Sequence, residues 1–389
     1  MRNLADTINR LQRYQTPASP TRSFGFSPLK SLTNFGSNPG ALQALAFVPA
    51  QLQAHAPLVV VLHGCTQTAQ VYDHGSGWSA LAEEQGFAVL FPEQVRSNNP
   101  NTCFNWFSPG DSRRGGGEPL SIIQMIETMV AQHKLDAKRV YITGLSAGGA
   151  MASVMLATYP EAFAGGAIIA GLPYGCAQTI PEAFDRMRGH GGPSQAQLPQ
   201  LVREAAQHDG SWPTISVWHG SADAVVHPSN AAAIVDQWKS IHDVHDETPI
   251  TQTVDGAPRR VWLTAAGREV IEEFRIEGMG HGTPRGPGDA GGSSAYMLEA
   301  NISSSRHIAR FWGLTNAATS TRFETSQPSN DPASKRAAQM PTPVSGAGGQ
   351  LTRSEALDLH SRTSPQPTSP VDRVKKVIED ALRGAGLMK

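Results

Sequence analysis

The chain has 389 residues, enough for a sizeable core, with 32 Lys plus Arg against 33 Asp plus Glu and a net charge of -1. That balance leaves no electrostatic footprint for DNA or RNA. Three cysteines in this length exclude a disulfide scaffold.

The first residues, "MRNLADTINRLQRYQ", lack the unbroken apolar core of a secretory signal. On that ground a cytoplasmic location is expected. Leu4, Ile8 and Leu11 fall on one helical face, with Arg2, Arg10 and Arg13 among them. Such a short basic amphipathic helix either touches a lipid or granule surface or docks on its own domain. Residues 1–38 are read as this helix and a polar lead-in. No run along the chain is long and apolar enough for a transmembrane helix.

Residues 39–314 alternate apolar runs with helical patterns. Strands are predicted in "LVVVLHG" (58–64), "FAVLFPEQ" (87–94), "RVYITGL" (139–145), "GGAIIAG" (165–171) and "TISVWHG" (214–220). Continuous apolar, β-branched runs of this length suit strands covered on both faces. Helices are predicted around 77–86, 120–133, 147–158 and 229–242. The alternation implies an α/β domain with a mostly parallel twisted sheet and helices on both faces. Residues 172–213 break the rhythm and are read as an insertion above the sheet, a lid. Residues 260–278 read as a hairpin feeding another strand, and 293–312 as one or two closing helices.

From 315 the texture turns to Ser, Thr, Pro and Ala, and Phe323 is the one aromatic after Trp312. Residues 315–370 are expected to be a disordered linker, because they cannot bury enough to offset their ordering entropy. A short amphipathic helix is expected over 371–387, with Val371, Val374, Ile378 and Leu382 on one face and Gly384 near its stop. It would recruit a partner or cap the tail.

Gly144-Leu145-Ser146-Ala147-Gly148 is a G-x-S-x-G that follows a buried strand and opens a small-residue helix. The spacing alone is weak; the strand–turn–helix setting is what a nucleophile elbow needs. Such a turn strains the serine backbone and crowds its flanks, so the neighbours must be small. Serine also needs a base, and the base needs an orienting acid. Asp223 lies just past the strand ending in "WHG", and His281 sits in a later Gly-rich loop, "GMGHGTP". His219 and His227 are the rivals for the base. Two backbone amides are needed for an oxyanion hole: Ala147 is the first choice for one, and Cys65, then Thr66, for the other. The histidines lack zinc-ligand spacing, so neither metal nor organic cofactor is expected.

The stretches "NFGSNPGALQALAFVPA", "PLVVVLHGCTQTA", "SGWSALAEEQGFAVLFPEQ", "NPNTCFNWF", "RVYITGLSAGGAMASVMLATYPEAFAG" and "WHGSADAVVHP" resemble the poly(3-hydroxybutyrate) depolymerase family of esterases over about 34–313. "HGCTQ" paired with "CFNWF" is the more specific part. The resemblance implies an α/β-hydrolase fold and carboxylic-ester hydrolysis, with Ser146 as nucleophile, Asp223 as acid and His281 as base. The implied substrates are short hydroxyacid esters or polyester oligomers. The family label also covers esterases that strip acyl or feruloyl groups from plant polysaccharide. A granule- or surface-binding protein is the non-enzyme alternative. Secreted polymer-degrading relatives carry a signal peptide and often a polymer-binding domain; the chain departs from both, and extracellular location is the alternative to the cytoplasm. The two family motifs contain Cys65 and Cys103, a candidate disulfide that leaves Cys176 free. Trp78, Phe104, Trp106 and Phe107 are candidates for the acyl pocket.

Overall fold

The computed structural model describes residues 28–315. The expected N-terminal helix, the linker beyond 315 and the C-terminal helix lie outside the described residues.

The five predicted strands form at β3 (Leu58–Leu62), β4 (Ala88–Glu93), β5 (Val140–Leu145), β6 (Gly165–Ile169) and β7 (Thr214–Gly220). Every residue of β3, β5 and β6 is buried, as unbroken apolar strands require. Side chains alternate across β3: Leu58, Val60 and Leu62 enter one core, Val59 and Val61 the other. The first core is covered by α3 (Gly117–His133), α4 (Ala147–Thr158) and α7 (Ser229–Lys239). The second is covered by α1 (Ala69–Ser76), α2 (Trp78–Gln85) and α8 (Ser304–Phe311).

Five further strands widen the sheet: β1 (Lys30–Ser31), β2 (Gln43–Phe47), β8 (Ile250–Val254), β9 (Ala257–Leu263) and β10 (Glu269–Ile276). The order is β1-β2-β4-β3-β5-β6-β7-β10-β9-β8. The six strands from β4 to β10 run parallel, and the two outer strands at each edge are antiparallel. A separate parallel pair, β11 (Thr283–Arg285) and β12 (Met297–Glu299), lies beyond β10.

Three elements depart from expectation. α1 precedes the helix predicted from 77; Thr68 caps its start by accepting from the Val71 amide, and Gly77 ends it at φ 72°. β10 is both the second arm of the predicted hairpin and the strand that hairpin feeds, since it pairs with β9 on one side and β7 on the other. Residues 293–312 hold β12 and one helix, α8. The stretch 172–213 carries α5 (Ile180–Met187) and α6 (Leu198–Ala206) between β6 and β7. Among the described residues no helix is long and apolar enough to cross a membrane.

Candidate active site

Ser146 is the single residue between β5 and α4, at φ 57° and ψ -118°. Its amide donates to Ile169 O on β6 (2.9 Å), and its carbonyl accepts from the Ala150 amide (2.8 Å). The two motif glycines are sterically required. A Cβ on Gly144 would overlap the backbone of Gly148, and one on Gly148 would overlap Leu62 O. All twelve residues of α4 are buried, so the helix has no room to retreat. Gly148→Ala is therefore expected to lower stability by about 3 kcal/mol. Urea unfolding checks this, and an unchanged midpoint would show that α4 can shift.

Asp223 follows β7 in a tight turn. Its Oδ1 accepts from the amides of Val225 (2.8 Å) and Val226 (2.9 Å). Its Oδ2 accepts from Nδ1 of His281 at 2.8 Å. Burial alone would raise the Asp223 pKa, but the hydrogen bonds from His219 and His281 outweigh it and hold the carboxyl well below the usual range. The His281 loop is laced to this turn: Ser221 N donates to Ile276 O (2.9 Å), Ala222 N to Met279 O (3.0 Å) and Gly278 N to Ser221 Oγ (2.8 Å). Gly220 permits the close approach, because a Cβ there would overlap Met279 O.

The rival histidines are both engaged by other groups, and His219 also approaches Asp223. His219 is buried, with Nε2 2.8 Å from Val226 O and 3.4 Å from Asp223 Oδ2. The Nδ1 of His227 accepts from the Ser229 amide (3.2 Å) at the start of α7. Neither lines the cavity that holds Ser146.

That cavity has a volume of about 490 Å³. Ser146, Ala147, Cys65 and His281 all line it, as do Trp106 and Phe107. Cys65 is joined to Cys103 by a disulfide, and Cys176 is a buried free thiol. Among the described residues no hydrogen bond uses the amides of Cys65 or Ala147. The Thr66 amide, by contrast, donates to Asn101 O at 2.7 Å, which removes it as a free donor.

Two of the four aromatic candidates are core residues. Trp78 packs in the opposite core, edge-on to Phe87 and stacked on Trp312 at 6.1 Å. Phe104 is fully buried beneath His63, with ring centroids 5.0 Å apart. Large aromatics bury the most area where they are enclosed, and that drew both away from the cavity.

Sequence reasoning missed other parts of the wall. Ile180, Ala183, Phe184 and Met187 of α5 face the cavity. Their i, i+3, i+4, i+7 spacing was a usable signal. Tyr296 lies edge-on to His281 at 6.0 Å and also lines the cavity. Glu118, fully buried at the start of α3, had no signal: only the fold brings it to the loop that carries Cys103. A second cavity of about 450 Å³, near Arg306 and His307, holds none of the expected site residues. Among the described residues no three His, Cys, Asp or Glu side chains group as metal ligands.

The Esterase PHB depolymerase family profile matches residues 42–257, ending before His281. Poly(3-hydroxyalkanoate) depolymerase C of Paucimonas lemoignei is 48% identical over 292 residues, 74% of this chain and 70% of that protein. Acetylxylan esterase A of Emericella nidulans is 33% identical over 260 residues, 65% of this chain and 84% of that protein. The solved acetyl xylan esterase of Aspergillus awamori superposes with a TM-score of 0.63 at 24% identity, over 74% of this chain and 99% of that one. That superposition, with the mostly parallel sheet covered on both faces, gives the α/β-hydrolase fold. The chain belongs to the Esterase PHB depolymerase family and is a hydrolase of carboxylic esters.

Proposed function

We propose that the protein is a serine esterase of short hydroxyacid esters and polyester oligomers, with Ser146, His281 and Asp223 as its triad. The observation that carries the reading is one cavity lined by Ser146, by an imidazole hydrogen-bonded to a buried carboxylate, and by two backbone amides with no partner among the described residues. His281 Nδ1 donates to Asp223, which leaves Nε2 as the ring's basic nitrogen. Nε2 takes the proton of Ser146 as Oγ attacks the ester carbonyl. The amides of Cys65 and Ala147 receive the oxyanion, and His281 then protonates the leaving alcohol. Water repeats the sequence on the acyl-enzyme and releases the acid. Asp223 stays ionised throughout and stabilises the imidazolium.

The substrate class rests on the cavity wall. One side is the apolar face of α5 with Val225 and Val226. The other carries four asparagines, and the side-chain amides of three, Asn98, Asn99 and Asn105, are already engaged. Asn98 donates to Gly40 O and Gln94, Asn99 to Asn105, and Asn105 to Glu118. Asn101 and the hydroxyls of Thr66, Ser108 and Tyr296 are the wall donors left to read sugar hydroxyls, against a wholly apolar opposite side, and a site discriminates strongly only where it hydrogen-bonds its substrate. The relative at 48% identity is named for poly(3-hydroxyalkanoate), and the one at 33% for acetylxylan. The Cys65–Cys103 disulfide supports an oxidising compartment over the cytoplasm.

The test is a side-by-side panel of 3-hydroxybutyrate oligomers, acetylated xylan and methyl ferulate. The oligomers are expected to give the highest kcat/KM by at least about tenfold, roughly 1.4 kcal/mol in transition-state binding. Preference for acetylated xylan would move the assignment to the carbohydrate esterases of the family.

A further inference from the structure

A single backbone N–H, that of Cys65, is one half of the oxyanion hole in this reading, and an error of a few tenths of an ångström in its position weakens it. Its loop is held from both sides. Before it, Gly64 N donates to Gln67 Oε1 (2.9 Å), and Nδ1 of His63 donates to Gly64 O (2.8 Å). After it, Thr66 N donates to Asn101 O. Cys65 itself is bonded to Cys103, their Cα atoms 4.3 Å apart. The loop is therefore only as well placed as residues 94–105.

Those residues converge on one carboxylate. Glu118 Oε1 accepts from Gln94 Nε2 (2.6 Å) and Asn105 Nδ2 (2.8 Å), and Oε2 from Asn105 N (2.9 Å). Gln94 also donates from Nε2 to Cys103 O (3.1 Å), and its backbone N–H donates to Nε2 of His63 (3.1 Å). Through Gln94 the carboxylate thus reaches both the disulfide and the residue that holds Gly64. The facing groups are all donors, the arrangement an ionised carboxylate requires.

This charge is costly. Glu118 is completely buried and forms no ion pair among the described residues. Its own amide donates to another acid, Asp111 Oδ1, at 3.2 Å. Burial first, and the charge of Asp111 second, push its pKa up to about 8 against the pull of its donors, so the ionised form those donors require dominates only above that pH. An apolar residue of similar volume would serve stability alone at lower cost.

We infer that Glu118 is a positioning residue for ester hydrolysis: its buried carboxylate gathers Gln94 and Asn105, and so sets the Cys65 amide through the Cys65–Cys103 disulfide. The inference rests on the reading of Cys65 as an oxyanion donor. Glu118→Gln keeps the volume but turns one acceptor into an NH₂ group that must face a donor. Assayed above pH 8, where Glu118 is ionised, it is expected to lower kcat about 10–100-fold with KM changed less than about twofold, part of the 10²–10³-fold carried by such a donor. Affinity for a trifluoromethyl ketone, which forms the oxyanion on Ser146, should fall by the same factor as kcat/KM.

A Glu118→Gln protein that melts lower but keeps its kcat and its ketone affinity would reduce Glu118 to a structural role and overturn the inference. Asn105→Ala removes one donor and leaves the carboxylate in place, so it serves where Glu118→Gln does not fold. It is expected to cost about three- to tenfold in kcat, and an unchanged kcat overturns the inference equally. Ser146→Ala separates the two levels. If it keeps its activity, the triad reading fails. If it is inactive while Glu118→Gln turns over normally, only the role of Glu118 fails.

Discussion

Ser146→Ala is expected to lower kcat on p-nitrophenyl butyrate at least about 10⁴-fold while leaving the fold intact. The Ser146 hydroxyl takes part in no hydrogen bond among the described residues, so its removal orphans no buried partner. Alanine inherits the same backbone angles, and the melting temperature should stay within about 2 °C. Loss of activity with retained stability separates chemistry from structure at this position. Labelling by a fluorophosphonate should vanish in parallel. Turnover near that of the unsubstituted protein would remove Ser146 from the mechanism.

Asp223→Asn should cost about 10⁴-fold in kcat, for a reason visible in the turn. Oδ1 is fixed by two backbone donors, the amides of Val225 and Val226. An asparagine must keep its carbonyl oxygen there, which points its NH₂ group at His281. The imidazole then has to present a lone pair at Nδ1 and carry its proton on Nε2, which can then no longer take the proton of Ser146. Stability should fall as well. The carboxyl pKa is depressed in the folded protein, so Asp223 contributes stability above its ordinary pKa near 3.9 and loses it as pH falls through the folded value. At pH 7 the asparagine variant lacks that contribution and should melt lower. A loss of less than about tenfold in kcat would mean that the tautomer is set by some other group.

Buried strands and the elbow were legible because each writes its demand into consecutive residues. β7 was bounded as predicted, at Thr214–Gly220, and α4 at Ala147–Thr158. The small residues around Ser146 record contacts with Leu62 and with one another that tolerate no Cβ. β8 was missed because "ITQTV" is almost wholly exposed and carries no apolar alternation, although the Asp255-Gly256 turn that follows it was a hairpin signal. The Thr66 amide is engaged by one distant carbonyl, Asn101 O, which local pattern does not encode. The same holds for Glu118. Its partners lie 13 and 24 positions away and meet it only once α3 packs beside β4.

The backbone at Ser146 has a bearing on how this protein could be engineered. Angles of φ 57° and ψ -118° are those of the first central residue of a type II′ turn, which glycine adopts freely and L-residues resist by about 1–2 kcal/mol. Glycine at 146 would relax that tension and toughen the molecule against heat while, on the proposed mechanism, removing its nucleophile. A laboratory selection that rewards thermal endurance alone would therefore drift toward an inert protein. Rounds of such selection need to be gated on turnover at every step.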